Sequence, residues 1–299
     1  MTDMNPPNWA APEPESDGGT VATAPQPGRR RAHAGRDRVL FALRGVGQTL
    51  ITAGLVILLF VVYEVWVSNI FANLKQDHVR HVLAQDWANG DDPVAGLPGN
   101  GASTIPLGTG IANLYIPRLG NDYHFTIVQG TDEADLDEGP GHYVDTALPG
   151  QLGDFAVAGH RVGKGEPFLN VDQLEPGDAI VVQTKSDWYI YRVFGDTANG
   201  NLAVTGDAPP AGAVVTSPAP QQALGAGVVG REIVDPSDGN VILPVPNKPG
   251  MAATGALMTL TTCHPKFEAN KRMIVHAYLA RVVPASGSAL PKELSGGTL

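Results

Sequence analysis

The sequence predicts a mainly β fold, with a barrel preferred over a sandwich, behind one N-terminal membrane-spanning helix. Between Leu107 and Val283 the chain is a series of short segments rich in Val, Ile, Thr and Tyr. Turn residues separate these segments, and the chain holds 36 Gly and 25 Pro, a composition that favours short strands over a helical bundle. The helix is predicted from a largely apolar run, Val46 to Val67.

Charge excludes one class of function. The 299 residues carry a net charge of −10. Residues 1–71 hold six Arg and six acidic residues and sum to zero, so the whole excess of acid lies on residues 72–299. Nucleic-acid binding needs a basic surface, and we therefore expect no nucleic-acid partner.

The N-terminal part is predicted to be a cytoplasmic tail followed by an anchor. Residues 1–38 are polar and Pro-rich without periodicity, which is typical of disorder. Residues 39–68 form the anchor, whose apolar run starts too late and is too long for a cleaved signal peptide. Six Arg precede the run between Arg29 and Arg44, whereas only Lys75 and Arg80 follow it closely. This asymmetry keeps the N-terminus in the cytoplasm and the rest of the chain outside, with membrane lipid around the anchor.

The remainder divides into a spacer, a β domain and a tail. Residues 69–105 are a predicted juxtamembrane spacer, helical first and extended where Gly, Pro and Asp dominate. Residues 106–285 form the β domain, in which 195–229 is a predicted loop insertion rich in Ala, Gly and Pro, and residues 286–299 form a polar tail. Strands are predicted at Asn113–Ile116, Phe125–Val128, Asp154–Ala158, Ala179–Thr184, Trp188–Val193, Arg231–Val234, Leu257–Thr262 and Arg272–Ala280.

Cys263 is the only cysteine and the main chemical signal. A lone cysteine forms no internal disulfide, and zinc sites recruit several Cys or His ligands at short spacing. We therefore expect no metal and no other cofactor. The residue follows an apolar strand and precedes Pro265, which places it at a strand end beside a turn. A buried filler is the alternative, but polar neighbours and a nearby cation favour a reactive thiolate.

Arg272 is the expected cation. It opens the strand that follows Cys263, so a hairpin-like connection would bring its guanidinium close to the sulfur. Arginine stays charged at working pH and offers several donors, which suits an oxyanion formed during acyl transfer. A surface salt bridge is the alternative role.

Spacing alone does not settle which histidine completes the set. His160 closes the run AVAGHR after an apolar strand, where the preceding glycine lets backbones approach closely. His276 shares a strand face with Arg272 by alternation. His264 is adjacent to Cys263, and neighbours in a strand point apart. The residues leave His160 and His276 as equal candidates.

Together these motifs resemble the sortase family. The run TLTTC ending at Cys263, with Arg272 nine residues on and AVAGHR around His160, is similar to that family's TLxTC signature, its arginine and its upstream histidine. The runs LYIPRLG from Leu114, GPGHY from Gly139 and CHP at Cys263 resemble its class E type of actinobacteria. Over about residues 107–283, the resemblance implies a closed barrel of eight strands with short helices. It also implies a membrane-anchored cysteine transpeptidase with His160, Cys263 and Arg272 as the catalytic set.

The resemblance also implies partners. Sortases of this kind cleave an LAxTG-like or LPxTG-like C-terminal sorting signal of a secreted protein between Thr and Gly. A thioester forms, and the protein passes to the amine of a lipid-linked peptidoglycan precursor. On this basis Tyr115 is expected in the substrate groove, Thr261 and Thr262 beside the nucleophile, and His264 at the substrate through a nearby backbone N–H.

Two departures leave alternatives open. Asp154 stands where the resemblance leads us to expect Asn, and the insertion exceeds the usual connection, so substrate details stay unsettled. A pilus-type sortase would take a protein lysine as acceptor. A catalytically inactive, membrane-tethered barrel would only bind peptides or wall components. A papain-like protease is disfavoured, because its cysteine precedes its histidine and lies on a helix.

Overall fold

A computed structural model describes residues 33–63, 68–97, 101–195, 228–285 and 290–295. The predicted tail up to residue 32 and the predicted insertion from 196 to 227 lie outside these residues. The chain divides into two compact units, with the boundary between Ile57 and Leu58.

The first helix, α1, spans His33–Val62. It begins before the anchor start predicted at residue 39, because the preceding HAGRDR run includes the good helix formers Ala and Arg. Within it, the 24 residues Val39–Val62 have a mean hydropathy of 2.2. Among the described residues this is the one helix long and apolar enough to cross a membrane.

The second unit contains the predicted β-barrel. Strands β6-β5-β1-β2-β3-β4-β8-β9 are neighbours in that order, and pairing of β6 with β9 closes the ring of eight. Strand β7 pairs with the first part of the long strand β9. The eight-stranded barrel implied by the resemblance is therefore confirmed. The strands are β1 Gly110–Tyr115, β2 His124–Gln129, β3 Gly141–His142, β4 Gly153–Ala158, β5 Ala179–Gln183, β6 Asp187–Val193, β7 Arg231–Val234, β8 Ala256–His264 and β9 Lys271–Pro284.

Two pairings determine where the chemistry lies. Strands β4 and β8 are parallel, so their C-terminal ends lie at the same rim of the barrel. Strands β8 and β9 are antiparallel, so β9 starts at that rim. Three strand ends thus meet there, although one of them is more than 90 residues away from the others along the chain.

Alternation along β8 decides which face its side chains take. Ala256, Met258 and Leu260 belong to the main core inside the barrel. Leu257 belongs to a second apolar cluster on the outer side of the sheet. The odd-numbered positions, including Cys263, therefore share the outer face.

Helix α2, Ser68–Asn89, corrects the expectation of a simple spacer. Its first part is helical as predicted, but it packs against the barrel through Ala72, Val79 and Leu83, which are buried. Gln76 donates to the carbonyl of Thr126 at 3.0 Å and accepts from the Thr126 N–H at 2.7 Å. A narrow apolar stripe and one polar anchor hold the helix against the sheet.

The predicted polar tail also returns to the barrel in its described part. Residues 290–295 include a 3-10 helix, Lys292–Leu294. The Glu293 side chain is only 2% exposed and forms ion pairs with Arg192 and Arg281. Two arginines on β6 and β9 thus hold a carboxylate of the segment that the sequence showed only as polar.

Candidate active site

Cys263 and Arg272 are direct cross-strand partners in the β8–β9 hairpin. This confirms the hairpin-like connection predicted between them. Directly opposed residues of an antiparallel pair carry their side chains on one face, with Cβ atoms about 4.5–5.5 Å apart. The thiol is partly exposed, as a nucleophile must be.

The guanidinium of Arg272 lies over the turn between these strands. Its Nη1 donates to the carbonyls of Ala269 at 3.0 Å and Lys271 at 3.1 Å. Within the described chain no carboxylate forms an ion pair with it, so the alternative role in a surface salt bridge is not seen. Arg272 is therefore a cation on the strand face that it shares with Cys263, and two carbonyls of the turn hold its guanidinium.

The β4–β8 register places His160 level with Cys263. The last Cα partners of the parallel ladder are Ala158 and Thr261, and the Gly159 N–H continues it by donating to Thr261 O at 3.0 Å. Extending this register by two residues pairs His160 with Cys263. Glycine is required before the histidine, since a Cβ at Gly159 would lie 2.5 Å from the Phe168 ring.

The ring of His160 is half-buried and has bonding capacity left. Its Nε2 is buried without a hydrogen-bond partner among the described residues. Burial lowers the pKa of His160, and the charge of Lys164 lowers it further, while the carboxylates of Asp137 and Glu133 oppose these effects. The ammonium of Lys164 lies 2.5 Å from the carboxylate of Asp137 and 3.1 Å from that of Glu133.

His276, the other candidate, has both ring nitrogens occupied. Its Nδ1 lies 2.9 Å from the Thr259 hydroxyl, and its Nε2 lies 2.9 Å from the Glu232 carboxylate. Thr259 also bonds Asp154 at 2.9 Å. The ring is 0% exposed, so it is a member of a closed polar network rather than a free acid or base.

Thr261, Thr262 and His264 all lie beside the nucleophile. The hydroxyl of Thr261 bonds the Tyr143 hydroxyl at 3.0 Å, and that of Thr262 donates to Gly159 O at 2.8 Å. The Nδ1 of His264 lies 3.0 Å from a nitrogen of Arg161. The two threonines therefore hold the strand ends in place.

Tyr115 is not brought to this site. It stacks on His124 with ring centroids 5.0 Å apart and donates to Gln183 at 3.1 Å. Burial raises the pKa of its hydroxyl. In the barrel order three strands separate its strand β1 from β8 in either direction, so the two residues lie on opposite walls.

Arg161 and Tyr143 are contacts of the site that were not expected from the sequence. Arg161 directly follows His160 in the AVAGHR run, and Tyr143 ends the GPGHY run, so adjacency to the motifs was the available signal. No group of three or more His, Cys, Asp or Glu side chains that could hold a metal ion occurs among the described residues. The arrangement of thiol, imidazole and guanidinium fits acyl transfer through the sulfur.

Comparisons with known proteins show the family. The family described as the Sortase domain matches residues 114–280. Sortase SrtE2 of Streptomyces coelicolor is 31% identical over 277 residues, which cover 89% of this chain and 93% of that protein. Sortase SrtE1 of the same organism is 33% identical over 266 residues, or 86% of this chain and 63% of that protein. The chain thus matches less than two thirds of the length of SrtE1.

Solved structures show the same likeness. The SrtF sortase from Corynebacterium diphtheriae is 39% identical with a TM-score of 0.55, covering 69% of this chain and 98% of that one. Sortase E from Streptomyces avermitilis is 33% identical with a TM-score of 0.46, covering 63% of this chain and 99% of that one. The family match over residues 114–280 includes the ends of β4 and β8 and the start of β9, and the chain belongs to the sortase family.

Proposed function

We propose that this protein is a membrane-anchored cysteine transpeptidase. It cleaves an LAxTG-like or LPxTG-like sorting signal between Thr and Gly and transfers the upstream protein to an amine of a cell-wall precursor. The observation that carries the proposal is the meeting of three strand ends, which sets Cys263 opposite Arg272 and level with His160.

The first step is attack on the signal. The Cys263 thiolate forms a C–S bond to the Thr carbonyl carbon, and the carbonyl oxygen takes up negative charge. Arg272 and the backbone N–H near His264 stabilise that oxyanion. As the C–N bond to Gly breaks, its electron pair stays on nitrogen and His160 supplies the proton. The products are a thioester and a free glycine amine.

The second step reverses the roles. An incoming amine attacks the thioester carbonyl, and neutral His160 accepts the proton that the amine loses. The C–S bond breaks, which restores the thiolate, and a new amide forms. Because burial lowers the pKa of His160, the ring is readily neutral for this step. In the first step His160 must instead be protonated, and the thiol of Cys263 supplies that proton when it becomes a thiolate.

The anchor proposal places this chemistry outside the cell. Helix α1 would anchor the chain in the membrane with its N-terminus in the cytoplasm. The β domain would then lie on the outer side, close to lipid-linked wall precursors. A membrane-impermeant thiol reagent applied to intact cells should label Cys263. Labelling that appears only after lysis would contradict this topology.

Transfer assays test the function itself. The purified protein is mixed with a Leu-Ala-Glu-Thr-Gly peptide, its Leu-Pro-Glu-Thr-Gly counterpart and an amine, and products are identified by mass spectrometry. Triglycine stands for a wall-type amine and Nα-acetyl-lysine for a pilin-type one. We expect peptide–triglycine adducts with wild type and none with Cys263→Ala. Preference for the lysine would favour a pilus-type enzyme, and no product with any pair would favour a binding module.

A further inference from the structure

Arg161 is a buried cation that the proposed acid–base and oxyanion steps do not use. It follows His160 directly, and only 3% of its side chain is exposed. Its Nη1 donates to the carbonyl of Cys263 at 3.3 Å and to the Nδ1 of His264 at 3.0 Å. Its Nη2 lies 3.1 Å from the carboxylate of Asp172.

These contacts fix the state of the His264 ring. A guanidinium has donors only and accepts no hydrogen bond. The Nδ1 of His264 must therefore be the acceptor, with the ring proton on Nε2. Arg161 thus holds the residue after the nucleophile as a neutral ring in one orientation.

Arg161 is also the last link between the two strand ends that carry the reacting groups. The Gly159 N–H binds Thr261 O, and the Thr262 hydroxyl binds Gly159 O. Both bonds stop short of the nucleophile. Of the hydrogen bonds in the described chain that join the His160 segment to β8, only that of Arg161 reaches Cys263 itself.

Asp172, which contacts Arg161, also connects to the turn that follows Cys263. It lies in a 3-10 helix, Val171–Gln173, and Lys266 approaches it at 3.7 Å. Lys266 also lies 3.4 Å from the side chain of Asn170. The segment after His160 and the turn after Cys263 are therefore tied to one carboxylate.

Stability does not account for this arrangement. The Nε of Arg161 is buried without a hydrogen-bond partner among the described residues, and an unpaired buried donor is unfavourable. Asp172 is 36% exposed, and an ion pair with an exposed partner contributes little to stability. The contacts with Cys263 and His264 are therefore the ones that suggest a role for the guanidinium.

We propose that Arg161 is a positioning residue, which holds the backbone of Cys263 and the ring of His264 so that the thiol stays aligned with His160. The inference rests on the proposed transpeptidase function. A misplacement on the order of 1 Å at a reacting centre costs about 100-fold in rate, so loss of these contacts should lower turnover rather than substrate affinity.

The test compares Arg161→Met, Arg161→Lys and wild type in steady-state transfer of the Leu-Ala-Glu-Thr-Gly peptide to hydroxylamine. We expect Arg161→Met to lower kcat about 10- to 100-fold, with KM within about threefold of wild type. Arg161→Lys should recover part of kcat, since an ammonium keeps the charge and reaches one of the three partners. Asp172→Asn should lower kcat less than Arg161→Met.

Arg192→Met is the matched control. Arg192 donates to a carbonyl, that of Gly177 at 3.0 Å, and pairs with Glu293 at 2.8 Å, but it lies on β6. The Arg192→Met substitution should leave kcat within twofold of the wild-type value. An Arg161→Met enzyme that keeps wild-type kcat, or one that loses kcat only as much as Arg192→Met, overturns the positioning role while the proposed function stands. A wild type that forms no hydroxamate overturns both.

Discussion

His160 and His276 lie on the same side of the sheet, yet their surroundings differ in one decisive respect. The Nε2 of His160 has no hydrogen-bond partner among the described residues, whereas both nitrogens of His276 are bonded within 2.9 Å. The His160 ring thus keeps one nitrogen available for a further hydrogen bond. The His276 ring has no nitrogen available. Burial alone therefore does not mark a catalytic histidine, and the open nitrogen is what supports His160 rather than His276 in the proposed role.

The network around His276 explains why that ring is occupied. Asp154 is fully buried, and burial raises its pKa to about 8. The hydroxyl of Thr259 donates to Asp154 at 2.9 Å. That hydroxyl also lies 2.9 Å from the Nδ1 of His276, whose Nε2 lies 2.9 Å from Glu232. The hydrogen bond from His276 lowers the pKa of Glu232. Both nitrogens of His276 are therefore engaged in this network.

The largest expected effect separates the two histidines by activity. His160→Gln removes the group that moves the proton in both steps, and general acid–base catalysis contributes about 10²- to 10⁴-fold. We expect kcat for peptide transfer to fall about 10³-fold. The melting temperature should change little, because the Nε2 of the ring has no hydrogen-bond partner among the described residues. A His160→Gln enzyme with at least a tenth of wild-type kcat would remove the assignment.

The complementary variant is expected to lose stability instead. His276→Gln leaves Thr259 or Glu232 without its partner in a buried network, which costs about 1–3 kcal/mol of unfolding free energy. Chemical denaturation measures this loss. Transfer activity, assayed where the protein is folded, should stay within about threefold of wild type. A His276→Gln protein that is folded but inactive would contradict the structural role assigned to His276.

Asp154 should give a pH-dependent stability. Its folded pKa of about 8 lies above the ordinary value near 4, so the folded state binds the proton more tightly. The contribution of the neutral carboxyl is complete below about pH 4 and is lost as pH rises through about 8. Asp154→Asn keeps a neutral side chain that can accept from Thr259, and it lacks this slope. Its melting temperature should gain a few °C on wild type between pH 5 and pH 8, and parallel curves would contradict the buried neutral acid.

The smallest expected effect sharpens the description of His160. The charge of Lys164 lowers the pKa of His160, and that of Asp137 raises it. Lys164→Met should therefore raise this pKa, and Asp137→Asn should lower it. NMR titration of the His160 ring in each variant measures both shifts. Shifts of the same sign in the two variants would show that these charges do not act on the ring.

The sequence was most informative where the contacts are local. The strand pattern and the spacing from Cys263 to Arg272 were sufficient for the hairpin, because antiparallel neighbours pair across a short turn. The pairing of His160 with Cys263 joins segments about 100 residues apart through a parallel ladder, and no periodicity reports such a register. Only the family resemblance chose between the two histidines.

The features that escaped prediction depend on tertiary packing. A Tyr in a half-buried strand fits a groove or a wall equally well, and the barrel places Tyr115 on the wall opposite the thiol. Arg161 resembles any polar residue after a strand until its guanidinium is seen to cross to the carbonyl of Cys263. Glu293 belongs to a polar segment, yet two arginines from β6 and β9 bury it.

The central claim is that Cys263 carries the acyl group with His160, and not His276, as its partner. Rapid-quench intact-mass analysis with the Leu-Ala-Glu-Thr-Gly peptide tests it most directly. Wild type and His276→Gln should gain the mass of the peptide fragment ending at Thr, while Cys263→Ala gains none and His160→Gln acylates about 10²- to 10⁴-fold more slowly. An adduct on Cys263→Ala, or acylation that persists in His160→Gln and disappears in His276→Gln, would contradict the account.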